Sequence, residues 1–141
     1  MTSIFSFIVK PVGERYNNKV KVEDKELIIN TKIESFKSVN NVAEVVAVPL
    51  AYSTDIKVGD IVVIHHNVFR VFYDIRGNKK NSRSYFMDDL YFCDLDQIYL
   101  YKNTGKWKAF GDRCFIKPIK NKDYLNIAKE QRLIGILKYG N

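Results

Sequence analysis

The sequence predicts an all-β domain, and three observations favour that fold class. Aromatic and β-branched residues dominate the apolar residues, and both kinds prefer strands. The apolar residues fall in many short runs separated by polar turns, a pattern typical of a barrel or a sandwich. The one helix candidate, residues 124–132, is short and weakly patterned. A chain of 141 residues that is 46% hydrophobic is also long and apolar enough to bury one core.

The expected strands are short and follow the chain in order. Pro11 stands near the end of the first strand, where a missing N–H group is tolerated. The strands are predicted at residues 4–12, 42–48, 61–64, 68–73, 84–87, 90–93 and 98–101, with a helical or 3₁₀ turn at 94–97. Residues 76–82 have turn chemistry, so we expect 68–73 and 84–87 to form a hairpin. The uninterrupted apolar run at 61–64 is typical of a fully buried strand.

Charge and cysteine content restrict the class of protein. The formal net charge is +7, but the lysines are spread along the chain, which favours a solvated surface over a binding patch. Cys93 and Cys114 stand alone in apolar runs, so we expect buried free thiols in a reducing compartment. The chain has no 18-residue apolar stretch and no signal sequence. These features predict a cytoplasmic protein without a membrane span.

We find no pattern that indicates an enzyme, a cofactor or a metal site. His65 and His66 are the only histidines, and at a strand end adjacent side chains are expected to face opposite ways. The acidic residues Asp88, Asp89, Asp94 and Asp96 lack the spacing of a calcium loop, and turn and cap roles explain them better. The sequence also lacks the common nucleophile, zinc and phosphate-loop motifs.

Aromatic and arginine side chains alternate in one part of the chain. Such a pattern can form a stacking and phosphate-binding surface for single-stranded nucleic acid. The residues concerned are Tyr73, Tyr85, Phe86, Tyr91 and Phe92, with Arg70, Arg76 and Arg83. Because strand alternation turns most of these aromatic side chains into a core or an interface, nucleic-acid binding is disfavoured.

A turn before the strand at 61–64 carries the most specific signal. It reads Lys57-Val58-Gly59-Asp60. Gly59 permits a tight turn, and Asp60 is able to hydrogen-bond the backbone of that turn. The apolar residues that follow are then directed into the core.

This turn and its surroundings resemble GroES-type co-chaperonins, in which a near-identical string enters a central barrel strand. Phe7-Ile8-Val9-Lys10-Pro11 is similar to the opening strand of that family, residues 44–48 to the strand before its roof, and 90–101 to its closing elements. The resemblance covers about residues 4–102. It implies a partly open GroES-like β-barrel at 1–103, with a loop at 13–41 and an inserted hairpin at 66–89.

The loop contains an isolated aliphatic triplet, Leu27-Ile28-Ile29, within some thirty polar residues. In the family this interval is a mobile loop whose triplet binds a chaperonin. The resemblance therefore implies that Leu27, Ile28 and Ile29 bind a chaperonin, and that the protein forms a cyclic homo-oligomeric ring. The alternative interpretation is a structural edge strand.

The end of the chain resembles its beginning. Cys114-Phe115-Ile116-Lys117-Pro118-Ile119 is similar to residues 7–12, and residues 136–141 are similar to 45–49. We expect a partial second GroES-like repeat at 104–141. An unfinished barrel exposes strand edges and needs a partner. This repeat and the inserted hairpin fit a divergent, phage-encoded relative, and they favour an alternative function as a virion structural or assembly protein that binds neighbouring subunits.

Overall fold

The protein is all-β, as the sequence predicts. The computed structural model describes residues 2–17, 19–22, 25–28, 36–120 and 130–140. At Lys19–Val22, Lys25–Ile28, 120 and 130–134 it describes the backbone alone. Its strands are β1 Phe7–Pro11, β2 Lys19–Val22, β3 Lys25–Ile28, β4 Val42–Ala47, β5 Ile61–Ile64, β6 Val71–Tyr73, β7 Lys79–Asn81, β8 Tyr85–Met87, β9 Leu90–Cys93, β10 Ile98–Lys102, β11 Trp107–Ala109, β12 Phe115–Lys120 and β13 Glu130–Tyr139. Three 3₁₀ turns lie at Phe36–Ser38, His66–Val68 and Leu95–Gln97. No helix in this described part has the length and apolar character that a membrane span requires.

Seven strands form one antiparallel sheet in the order β11-β10-β5-β4-β1-β9-β8. Every neighbouring pair in this sheet is antiparallel. Within the described residues, the two outer strands β11 and β8 do not pair with each other, so the sheet does not close into a barrel. The other strands form three two-stranded ribbons, β2–β3, β6–β7 and β12–β13.

The core lies against the middle of this sheet. Three successive residues of β1, Phe7, Ile8 and Val9, are fully buried, so this strand is covered on both faces. In contrast, β4, β5 and β9 alternate buried and half-buried residues. The prediction of full burial for 61–64 is therefore wrong, because Ile61 and Val63 point to the more exposed face.

The inserted segment 66–89 does not form the hairpin that the sequence predicts. Strand β6 pairs with β7, and β8 pairs with β9 through a tight turn at Asp88, whose φ is 46°. The first residues of the insert belong to the core, since Val68 and Phe69 are fully buried. The expected pairing of 68–73 with 84–87 is therefore wrong, because residues 79–81 are themselves extended and lie nearer along the chain.

The C-terminal segment also begins on the main sheet. Although β11 lies beyond residue 103, it pairs with β10. Strands β12 and β13 pair antiparallel, as β1 and β4 do, with Pro118 opposite Gly135 and Pro11 opposite Ala43. These are the strands that the sequence repeat relates. Of the helix candidate at 124–132, residues 130–132 lie in β13, and 124–129 lie outside the described residues.

The two cysteines have different environments, which corrects the expectation that both are buried. Cys93 is fully buried in β9, whereas Cys114 is exposed before β12. Burial raises the pKa of the Cys93 thiol far above its usual range, and the nearby carboxylates of Asp94 and Asp96 add to the effect. Sequence context failed for Cys114 because its apolar run forms a ribbon outside the main core.

We expect a thiol reagent to modify one cysteine of the native protein rapidly. Cys114 is accessible, and the thiolate that would react at Cys93 is suppressed by burial. The measurement is the number of thiols that react with an aromatic disulfide reagent before and after urea is added. A Cys114→Ser variant should lose the fast phase, and rapid modification of Cys93 in that folded variant would contradict the assignment.

Candidate functional site

The two ends of the predicted loop at 13–41 are held together at its base. We call residues 12–17 and 36–42 the stem. The N–H of Asn17 donates to the carbonyl of Ser38 at 2.8 Å, and the N–H of Asn40 donates to the carbonyl of Arg15 at 2.8 Å. Tyr16 and Val39 form an antiparallel bridge between these bonds. The two ends of the 13–41 loop are therefore paired with each other.

A buried asparagine joins the stem to the sheet. Asn40 is only 3% exposed, and its amide nitrogen donates to the carbonyls of Val12 and Glu14 at 2.9 and 3.0 Å. Its amide oxygen accepts from the N–H of Val42 at 2.9 Å. One side chain thus satisfies three backbone groups at the point where β1 ends and β4 begins, and a buried backbone group without a partner is costly.

Arg15 and Tyr16 attach the stem to the inserted segment. The Nε and Nη2 atoms of Arg15 donate to the carbonyl of Phe69 at 3.1 and 2.9 Å. The same guanidinium lies 5.1 Å from the ring centre of Tyr91, within range of a cation–π contact. The Tyr16 hydroxyl accepts from the N–H of Val71 at 2.7 Å. The insert therefore supports the base of the loop.

Beyond the stem, the chain forms the ribbon β2–β3. Leu27 lies opposite Val20, and Ile28 lies opposite Lys19. Ile29 lies outside the described residues, and the side chains of this ribbon are not described. Two of the three predicted chaperonin-binding residues are therefore carried on a hairpin strand.

The Gly59–Asp60 turn lies directly before β5 and forms backbone hydrogen bonds with Val45 of β4. Gly59 has a φ of 88°, which favours glycine, and its N–H donates to the carbonyl of Val45 at 2.8 Å. A carboxylate oxygen of Asp60 accepts from the N–H of Lys57 at 2.8 Å, and Asp60 is only 8% exposed. This turn sets where the inner strand β5 begins.

The two histidines stack on each other instead of facing opposite ways. Their ring centres are 4.3 Å apart, because the 3₁₀ turn that starts at His66 breaks the alternation of a strand. Phe36 of the stem lies 5.6 Å from the ring of His66. Burial lowers the pKa of His66, and His65 and Arg70 lower it further. Through the contact of Phe36 with His66, the histidine pair adds a further contact between the stem and the insert.

The aromatic and arginine residues noted in the sequence do not form one surface. Tyr91 is fully buried in the core, and Tyr85 packs against it edge-on. Phe86 pairs with Phe92 elsewhere on β8 and β9. The guanidinium of Arg70 lies over the ring of Phe72, 5.0 Å from its centre. The aromatic side chains are thus divided between the core and two separate surface pairs.

The described residues hold no group of three or more histidine, cysteine or acidic side chains placed to bind a metal. A cleft of about 510 Å³ lies beside the insert, and its lining carries one charged side chain, Arg83, and no acidic or histidine side chain. The rest of its lining is Asn67, Phe72, Asn81, Ser82, Ser84 and Gln97. This geometry offers hydrogen bonds to a ligand but no pair of groups for acid–base catalysis.

Sequence reasoning missed the residues that build the stem. Arg15 and Tyr16 lie in a polar stretch without periodicity, and Asn40 is one of two adjacent asparagines. The partners of Arg15 and Tyr16 lie more than fifty positions away along the chain. No local pattern indicates such contacts.

Comparison of the chain with protein-family models, curated proteins and solved structures found no match.

Proposed function

We propose that this protein is a GroES-like co-chaperonin that binds a chaperonin through Leu27, Ile28 and Ile29. The observation that carries the proposal is the stem. It closes the base of the loop with backbone hydrogen bonds and anchors it through Asn40, Arg15 and Tyr16, and beyond it Leu27 and Ile28 lie on β3 of the β2–β3 ribbon. A loop of this kind presents a short apolar segment without disturbing the core.

The resemblance to the GroES-type family supports the proposal at one further place. The Gly59–Asp60 turn opens an inner strand of the main sheet, in the position that the resemblance implies. The antiparallel pairing of β12 with β13, which follows that of β1 with β4, supports the partial second repeat and with it the alternative function given below. The role is one of binding without catalysis.

Ring formation is part of the proposal because one aliphatic triplet buries little surface. Three aliphatic side chains contribute a few kcal/mol each at most on burial, and ordering the loop offsets part of that gain. Several copies in a cyclic ring would bind together and raise the overall affinity by avidity. Each contact then stays weak enough for release.

Leu27→Glu should abolish binding to a chaperonin, because a charge cannot enter an apolar groove without a large desolvation cost. The measurement is co-migration with chaperonin and ATP on a sizing column. Ile75→Glu is the matched control, since Ile75 is fully exposed at the tip of the β6–β7 ribbon. The wild type and the control should co-migrate with the chaperonin.

Hydrogen exchange supplies a second measurement of the same proposal. Amides at 18–35, those of the β2–β3 ribbon included, should exchange more slowly when chaperonin is added, whereas amides of the stem should be protected already. Absence of co-migration by the wild type, or equal binding by Leu27→Glu, would reject the co-chaperonin function.

A virion structural or assembly role is the second candidate, and the β12–β13 ribbon favours it. Ile116, Ile136, Leu137 and Tyr139 are exposed on this ribbon, and such a surface is typical of a subunit contact. In this case the partners are neighbouring virion subunits. Presence of the protein in purified phage particles, together with failure to bind chaperonin, would favour this function over the first.

A further inference from the structure

One outer strand of the main sheet presents apolar and acidic side chains. Within the described residues, β8 pairs only with β9, so its other edge is free. Tyr85, Phe86 and Met87 are each at least 36% exposed, and Asp88 and Asp89 follow them at the turn. Neither aspartate forms an ion pair with any residue that the structure describes. We call β8 and its turn the acidic edge.

The opposite outer strand presents apolar and basic side chains. In β11 the half-buried Trp107 stands between the exposed Lys106 and Lys108, and Lys102 lies 5.8 Å from the centre of its ring. The ribbon β12–β13 lies beside β11 and adds the exposed Lys117 and Lys138. Residues 106–120 and 130–140 contain seven lysines and arginines and two acidic residues, Asp112 and Glu130, so this edge has an excess of positive charge. We call β11 and this ribbon the basic edge.

We propose that the acidic edge of one copy binds the basic edge of a second copy of this chain. Charge complementarity identifies the occupant, because each edge repels its own kind and attracts the other. Both edges also carry apolar side chains, and an exposed apolar edge strand is a site where chains associate. This inference deepens the proposed function, on which its role in a ring rests, by naming the surfaces that join the copies.

The topology of the sheet is compatible with a repeating contact. Six antiparallel steps separate β11 from β8, so the two outer strands run in the same direction. The contact joins two different surfaces and is therefore heterologous. Such a contact repeats from copy to copy, and it forms a ring where the rotation closes.

Charge reversal on each edge tests the contact. Asp89→Lys and Lys108→Asp should each weaken self-association about tenfold, because an attraction becomes a repulsion between exposed charges. The combined variant Asp89→Lys/Lys108→Asp should associate nearly as well as the wild type. The measurement is sedimentation over a range of protein concentrations at low salt, with association weakening as salt rises.

Controls separate this contact from a general effect of charge. Lys37→Asp makes the same change at an exposed position of the stem and should leave association unaltered. All three positions are exposed, and circular dichroism checks that each variant is folded. A wild type that stays monomeric at all concentrations, or a combined variant no better than either single one, would overturn the proposal.

Self-association and chaperonin binding fail independently in these experiments. If the edges join the copies but Leu27→Glu leaves chaperonin binding unchanged, the edge contact stands and the co-chaperonin function is rejected. If the charge swap has no effect on association while the loop still becomes protected by chaperonin, the function stands and the edge contact is rejected.

Discussion

An Asn40→Leu substitution is expected to lower the free energy of unfolding by about 3 kcal/mol, because it removes the three hydrogen bonds that the side chain makes to backbone groups where β1 ends and β4 begins. The Asn40 side chain is only 3% exposed, so its bonds to the backbone are made inside the protein, and a leucine there makes none of them. Equilibrium unfolding in urea measures the change. We expect a lower midpoint with an unchanged slope.

The neighbouring asparagine supplies a matched control for this prediction. Asn41 is exposed, and no side-chain hydrogen bond of this residue occurs among the residues described. Asn41→Leu should therefore change stability by no more than about 0.5 kcal/mol. Similar losses in the two variants would show that Asn40 does not join the stem to the sheet. The Asn40 variant should also bind chaperonin more weakly, since its loop would extend from a less ordered stem.

A Phe69→Ala substitution is expected to cost about 4 kcal/mol, which is typical of removing a fully buried phenylalanine. Phe69 lies in the insert, and its ring packs edge-on against Tyr91 at 4.9 Å between centres. The large effect would show that the insert contributes to the core instead of being an appendage to it. Thermal or urea unfolding measures the loss.

Phe72→Ala is the control for this second prediction. Phe72 lies three residues further along the same insert, but it is 40% exposed on β6. We expect a loss below about 1 kcal/mol, because most of the removed surface already contacts water. If Phe69→Ala were as mild as Phe72→Ala, the insert would not be part of the hydrophobic core.

Local patterns in the sequence were enough to predict the inner strands. Strands β4, β5 and β10 lie within one residue of the predicted bounds, since each is a compact apolar run ended by polar residues or proline. The 3₁₀ turn Leu95–Gln97 also lies where it was expected. It is stabilised by Gln97, whose side-chain oxygen accepts from the N–H of Asp94 at 3.0 Å. Short-range chemistry determines these elements.

Contacts between distant parts of the chain were not predictable in the same way. The prediction of how the insert pairs failed because β7, with two lysines and an asparagine, lacks the apolar pattern of a strand. The prediction that His65 and His66 face opposite ways failed because a 3₁₀ turn replaces the extended backbone that it assumes. The stem depends on Arg15, whose carbonyl partner is 54 residues away. Only the folded chain brings such groups together.

The place of β1 has a consequence for the order in which the sheet forms. This strand lies near the start of the chain, yet it is sandwiched between β4 and β9, with Phe7 opposite Cys93. During synthesis one side of β1 has no partner until β9 has left the ribosome. Such long-range pairing is slow, and an unpaired apolar strand is prone to aggregate. The nascent chain of this protein is therefore expected to need protection while it is made.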